Sequence, residues 1–598
     1  MTPKNSCRLW RVVLFTGFFA YVLTGPCAEA REIFVAKNGS DANIGDAAHP
    51  FLTIQRAAND AYAGDTIIVH GGIYRERVDP PRGGTADTLR IIYRAAPGED
   101  VRIVGSERVV QWVRDGSHWE AVLPKSFFGS FNPFANLVRN PHFVKGDKDD
   151  GWGWLRYGRW AHLGDVYING QGLTEQETDA GLSKPMTWRA DVDDRGATTI
   201  RANFGDLDPT ASWAEVNVRP TVFYPSRPGL SYITIRGFTI MNAASYWAPP
   251  TVEQPAAVGP NGGNHWVIED NTILYAKAVG ISIGMPSGPA DQAASGHHVI
   301  RDNVIMRCGQ AGIAGQAWNS YSIIAHNDIE DINYRLEFGG AETAGIKFHW
   351  AHHTLIENNF IRNIGTIDRE LANADAIWLD SRNSDDVVRN NIIFGAMGNS
   401  ILMEANWVGG PNVVEHNVVV GGRLATYSSS GTVWKYNLFS DAIGYWVNQT
   451  ELKRPPIVGA MWARNIFITR GMADSPDETQ DNLYLGRAIP RQGELGAIID
   501  TVDPHFMLNM DGPVVTATFE IDRASYDRLR DREDTDLDFY GHARKKDKVA
   551  FGPFGNVVAG KNVMPLFRYS ARRLQAMKIV KGGINNGSAS QILNLNLD

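Results

Sequence analysis

From about residue 232 the chain alternates short apolar runs with polar corners, and one phrase keeps returning. "IEDNTI", "IRDNVI", "IAHNDI", "IENNFI", "VRNNII", "VEHNVV" and "WKYNLF" all read apolar-x-x-Asn-x-apolar. Their asparagines, Asn271, Asn303, Asn327, Asn359, Asn391, Asn417 and Asn437, stand 32, 24, 32, 32, 26 and 20 residues apart. "WARNIF" continues the series at Asn465, and "IRGFTI" begins it with Phe238 in the Asn slot. The runs are too short and too rich in Ile, Val and Asn for helices, and a drifting period in the twenties and thirties is that of solenoid coils. Asn suits the corner because it tolerates left-handed backbone and can hydrogen-bond its own turn or a stacked copy. The pattern predicts an all-β protein, a right-handed parallel β-helix.

A second phrase follows each corner: "GISIG", "GIAGQ", "GIKFH", "AIWLD" and "SILME". Aligned on Ile281, Ile313, Ile346, Ile377 and Ile401, these stack into one parallel sheet. Side chains alternate along a strand, so each Ile and the second residue after it point inward. The third residue after the Ile then faces out, and its column reads Gly284, Gln316, His349, Asp380, Glu404. The first-residue column reads Ser282, Ala314, Lys347, Trp378, Leu402. Adjacent strands lie ~4.8 Å apart, so Asp380 and Glu404 become direct neighbours. Like charges opposite each other are unfavourable in a sheet, which points to chemistry as the reason for the pair.

Coil length marks the same place. The aligned Ile follows the corner Asn by 10 residues in three coils, but by 19 after Asn327 and 18 after Asn359. The extra residues, "NYRLEFGGAET" and "GTIDRELANAD", project just before the strands of His349 and Asp380, and solenoid insertions tend to build a binding face.

The rest of the chain frames this core. Residues 31–84 predict a capping helix ("PFLTIQRAANDAYA") and first coil, and 85–222 an inserted β-rich outer domain. The β-helix core then runs over 223–470, with C-terminal coils and a cap over 471–598. "DLDFYGHAR" and "AFGPF" are expected as terminal coils that seal the solenoid, and the charged run "DRLRDREDTD" as a solvated helix face. The insertion's Trp152, Trp154, Tyr157 and Trp160 read as a sugar-stacking patch or as a core cluster.

The first thirty residues have a basic start, a short apolar stretch and "AEA", which predicts a signal peptide cleaved near Ala30 and export to the periplasm or outside the cell. The formal charge of −8 becomes more negative by two when Lys4, Arg8, Arg11 and Glu29 leave. An acidic surface argues against nucleic acid or an anionic membrane as partner. Cys7 and Cys27 leave with the leader, so Cys308 has no partner for an intrachain disulfide.

Two outward carboxylates about 5 Å apart, beside a Trp and a His, fit retaining glycoside hydrolysis. Set against this are a surface acid pair and half of a calcium site. Trp378 reads as the floor of a sugar subsite or as a ring covered by the insertion. Lys347 reads as a hydroxyl ligand that restrains the acids' charge, or as a salt-bridge partner. His349 reads as a ligand contact or a structural histidine, and Glu342 as a holder of sugar hydroxyls or a solvated loop acid. No metal-ligand spacing stands out.

"WAPPTVEQPAAVGPN" (247–261), "ETAGIKFH" (342–349), "AIWLD", "SILME", "SFFGSFNPF" (126–134) and "HLGDVYING" (162–170) resemble glycoside hydrolase family 120, the β-xylosidases. The resemblance implies a β-helix interrupted by an outer β-sandwich, with the active site in the cleft between them. It implies Asp380 as nucleophile, Glu404 as acid/base, and sugar contacts from Glu342, Lys347, Trp378 and Gln254. Two positions depart from the family pattern: Ala341 replaces a His, and Ser381 replaces an aromatic residue. The expectation is therefore a retaining β-xylosidase that needs no cofactor, takes an oligosaccharide, and is open to homo-oligomer formation. A β-helix polysaccharide lyase and a non-catalytic glycan-binding solenoid remain as alternatives.

Overall fold

The computed structural model describes residues 30–138, 161–249, 252–285, 295–317, 319–338, 342–365, 374–406, 409–448, 459–472, 478–529, 536–544 and 551–582. Residues 1–29, where a signal peptide is expected, the Trp152–Trp160 cluster and Ala341 lie outside them. Among the described residues no helix is long and apolar enough to cross a membrane.

Three parallel sheets wind into a β-helix. Sheet A has thirteen strands from Glu32–Val35 to Glu478–Gln480, sheet B thirteen from Gly72–Tyr74 to Ile498–Asp500, and sheet C eight from Ala256–Val258 to Ile443–Val447. Each coil sits on the last in register, apart from a shift between Asn399 and Ile401 in sheet C, so equivalent side chains form columns. In sheet A, Ile268, Ile300, Ile324 and Ile356 stack directly and are fully buried. Further along, Trp434 lies flat on Trp462 with ring centres 4.3 Å apart. The core is this axial column of Ile, Val and aromatic residues.

The asparagines form a ladder at the corner between sheets A and B. Asn359 Oδ1 accepts from both the backbone N–H and the Nδ2 of Asn327 at 3.0 Å, and Asn359 Nδ2 donates to Asn391 Oδ1 and to the Ile324 carbonyl. The rungs run from Asn271 to Asn482, where Glu494 closes the series. The left-handed conformation expected of these asparagines belongs instead to the residue before each one, such as Asp270, Asp302, Asn358 and Asn390, at φ 53° to 57°. That residue turns the chain and leaves the Asn amide free to reach along the axis.

The insertion is narrower than 85–222. Strands Ile91–Ala95 and Val101–Val104 pair with Ile233–Arg236 and Thr239–Met241 and so belong to the β-helix. The chain leaves at Gly105, whose carbonyl accepts from the N–H groups of Val218 and Arg219 where it returns. Between them a four-stranded and a five-stranded sheet pack around Trp188, Phe134, Ile200 and Val216 as a small β-sandwich. Val138, Ala161 and Leu163 of the insertion cover Ala278, Ala311 and Ala314 on the outer face of the first sheet C coils. A buried charge cluster ties the two bodies: Lys277 Nζ lies 3.1 Å from Asp165 and 2.9 Å from Glu337, and Arg335 lies 2.6 Å from Asp165.

The C-terminal segments do not seal the solenoid as coils. Phe539, Phe551 and Phe554, with the antiparallel strands Val514–Ile521 and Gly560–Arg568, cover Phe360, Ile392, Val418 and Leu438 on the outer face of sheet B. Those outward apolar side chains needed a cover, and this segment supplies it. Helix Ala571–Val580 then runs back along sheet B, where Arg573 pairs with Asp328 at 2.6 Å and with Glu330. The helix predicted for the charged run begins earlier, at Arg523–Leu529, and residues 530–535 lie outside the described set.

Candidate active site

Sheet C places the acids as its register requires. His349 pairs with Asp380, and Asp380 with Glu404, on strands Thr343–His349, Ala374–Asp380 and Asn399–Glu404. Ile377 and Leu379 point into the core, which turns Trp378 and Asp380 outward. Asp380 and Glu404 are only 8% and 9% exposed.

The strand ends are fixed by groups the repeat pattern did not reveal. Asn383 donates from Nδ2 to the Asp380 carbonyl at 2.8 Å, and its N–H donates to Asn406 Oδ1 at 2.8 Å. Asn406 in turn donates to the Leu379 carbonyl at 2.8 Å. Ser381 and Arg382, directly after Asp380, and Ala405, directly after Glu404, are all left-handed at φ 57° to 63°. Sharp turns braced by this short second ladder therefore end both acid strands. Two rungs are too few to register as a period; only their position just past the acids signals them.

Four of the remaining candidates gather beside Asp380. Lys347 Nζ lies 2.8 Å from Glu342 Oε1 and 3.4 Å from Asp380 Oδ2. His349 Nε2 is 3.5 Å from Asp380 Oδ2 and 3.8 Å from Glu342 Oε2. Glu342 is fully buried rather than a solvated loop acid. Burial acts most strongly on its carboxyl and pushes the pKa up, but Lys347 and His349 outweigh it and hold the group below the ordinary value. Trp378 is 4% exposed, and the Lys347 ammonium sits 3.0 Å from its ring centre. That face is taken by the lysine, so Trp378 acts here as a cation–π seat for Lys347 and not as an open floor.

Gln254 is buried on the approach segment, where its Nε2 donates to the Ala248 carbonyl at 2.7 Å. Gln310 and Gln316, from the neighbouring coils, tie down the same segment through Ala248 and Val252. Gln316 thus uses its place in the acid column to hold this wall. Most of the second coil extension, 366–373, lies outside the described residues.

Glu342, His349 and Asp380 also bring three ligand atoms within 4.8 Å of one another, a trio that could hold a metal ion and that sequence spacing did not show. Lys347 already supplies a positive charge to two of the three, so a divalent cation there would have to compete with it.

Comparisons with known proteins agree with this arrangement. The family described as "Right handed beta helix region" matches residues 256–439, and "Glycoside hydrolase 120, insertion domain" matches 109–192. A solved structure titled "The complex structure of XylC with xylose" superposes with a TM-score of 0.77 at 29% identity, over 90% of this chain and all of that one. A curated relative, "Pectate lyase PEL9" of Emericella nidulans, is 24% identical over 56% of this chain and 79% of its own length. "Uncharacterized protein YwoF" of Bacillus subtilis is 33% identical, over only 16% of this chain and 23% of its own.

Proposed function

This chain is a glycoside hydrolase belonging to family 120, and we propose that it is a retaining β-xylosidase working through Asp380 and Glu404. The observation that carries the reading is their direct register on adjacent strands of sheet C. Strands ~4.8 Å apart suit the ~5–5.5 Å carboxyl spacing of retaining enzymes better than the wider gap an inverting enzyme needs for its water.

In the first step an Asp380 carboxylate oxygen attacks the anomeric carbon. The bond to the leaving oxygen breaks as Glu404 donates its proton to that oxygen. In the second, Glu404 takes a proton from water, the water oxygen bonds the anomeric carbon, and the Asp380 ester is released. Lys347 and His349 lie within 3.4 and 3.5 Å of Asp380 and position its carboxylate, and Glu342 and Lys347 offer charged partners to sugar hydroxyls. Xylose as the sugar is supported by the ligand named for the XylC structure.

Asp380→Asn and Glu404→Gln are expected to fold normally and to lose on the order of 10³-fold or more in turnover. Glu404→Ala should retain activity on aryl glycosides with good leaving groups, with azide restoring part of the rate. Near-normal turnover in either acid variant would remove the assignment. A panel of aryl β-xylosides, arabinosides, glucosides and galactosides then tests the sugar.

A further inference from the structure

The outer face of sheet C is chemically lopsided about the acid pair. Toward the N-terminal coils lie the charged groups Glu342, Lys347 and His349. Past Glu404 the character changes. Tyr427 is the register partner of Glu404, and one coil further Tyr445 stands opposite Ala425. The two rings lie 6.2 Å apart at 68°, and the Arg423 guanidinium sits 5.5 Å from the centre of Tyr445. Tyr445 is exposed, and Tyr427 and Arg423 are partly so. Trp378, Leu402, Ala425 and Tyr427 form one outward apolar strip that joins this aromatic pair to the acid coils.

Among the buried polar atoms here that lack hydrogen-bond partners are Arg423 Nη2 and Asp375 Oδ2. Asp375 is fully buried, with its other oxygen held by the N–H and Nδ2 of Asn399 at 2.6 and 2.9 Å. Burial pushes the Tyr427 phenol up to about 12, with Asp375 and Glu404 adding to the rise and Arg423 opposing it. The phenol is thus within reach of the fields of both Glu404 and Asp375. Aromatic rings with a spare guanidinium donor are suited to a pyranose, which offers an apolar face and hydroxyl edges.

Resting on the assignment of Glu404 as acid/base, we propose that Tyr427, Tyr445 and Arg423 form the subsite for the leaving-group sugar. The acid/base must reach the glycosidic oxygen, so the departing sugar lies on the Glu404 side of the reacting carbon. The sugar that is cleaved off then occupies the Lys347 and His349 side. The substrate accordingly runs along the β-helix axis, with its leaving group pointing toward the C-terminal coils. Tyr427 and Tyr445 are specificity-determining residues for the second sugar and not catalytic ones.

The test compares xylobiose with β-xylosyl fluoride, whose fluoride leaving group fills no sugar subsite. Tyr427→Ala and Tyr445→Ala should each lower kcat/KM for xylobiose about tenfold, the size of one lost aromatic contact. In Tyr445→Ala, which stands one coil beyond the register partner of Glu404, the fluoride should stay within about twofold, because contacts to the cleaved sugar are untouched. Tyr427→Phe should keep most xylobiose activity, and exposed Tyr445 guards against a result that reflects misfolding. Equal losses on both substrates, or no loss on xylobiose, would overturn the subsite. Wild-type turnover of the fluoride, abolished in Asp380→Asn, reports on the catalytic assignment separately, so the two readings fail in different ways.

Discussion

Lys347 touches three partners at once: Glu342, Asp380 and the face of Trp378. Its charge is the strongest of the influences that hold the Glu342 carboxyl below its ordinary value against burial. In the wild type the sign is that of a depressed acid: Glu342 contributes stability above the unfolded carboxylate value and loses it as pH falls through its lower folded value. Lys347→Met should therefore destabilise the protein by about 3–5 kcal/mol at neutral pH, the cost of breaking a buried pair. The deficit should shrink toward pH 4, where Glu342 can take up a proton. Denaturant midpoints at several pH values measure this. Asp375 has the opposite sign. Burial raises its carboxyl to about 7, so between about pH 4 and 7 the folded protein keeps a proton that the unfolded chain has released. Stability then falls with rising pH across that window, by up to about 1.4 kcal/mol per unit. Asp375→Asn, neutral throughout, should gain on the wild type from pH 4 to 7 and hold a constant difference above it. The sequence showed Lys347 and Asp380 because alternation put them on the outer face. It could not show that Trp378 would be covered by Lys347, because that depends on side-chain reach across strands.

At the scale of elements, the asparagine ladder and the turns after the acid strands carry different loads. Asn359→Ala would leave the Asn327 amide, the Ile324 carbonyl and the Asn391 side chain short of partners in the interior. A loss of about 3 kcal/mol is expected, at ~1–3 kcal/mol for each buried group left unsatisfied, with activity intact while the protein stays folded. Asn383→Ala removes the donor to the Asp380 carbonyl. It should lower kcat about tenfold or more at temperatures where circular dichroism shows full folding, because the nucleophile's strand end loses its brace. Equal kcat in the two variants would contradict a positioning role for Asn383. The long ladder was legible because it repeats in the sequence. The left-handed residue before each Asn was not, since Asp, His, Asn, Tyr and Arg all fill it.

At the scale of the molecule, the β-helix, its insertion and the face bearing the acids follow from periodicity, but the edges of the parts do not. Ile91–Ala95 and Val101–Val104 look like any alternating strands, and only pairing with Ile233–Arg236 and Thr239–Met241 assigns them to the solenoid. The C-terminal segment was misplaced because its aromatic residues match a terminal coil as well as a cover for sheet B. The whole site, with Lys347 seated among its acids, is expected to work without added metal, so prolonged chelation should leave the rate unchanged. Recovery only on adding a divalent cation would assign the Glu342, His349 and Asp380 trio to metal binding and favour lyase chemistry. The central claim is that adjacent coils make Asp380 and Glu404 a nucleophile and acid/base pair, and the anomer of the first sugar released tests it most directly. Proton NMR during cleavage of a β-linked substrate should show the β-anomer first, with the α-anomer growing in only by mutarotation. The α-anomer appearing first would contradict the paired mechanism, even if both acids proved essential.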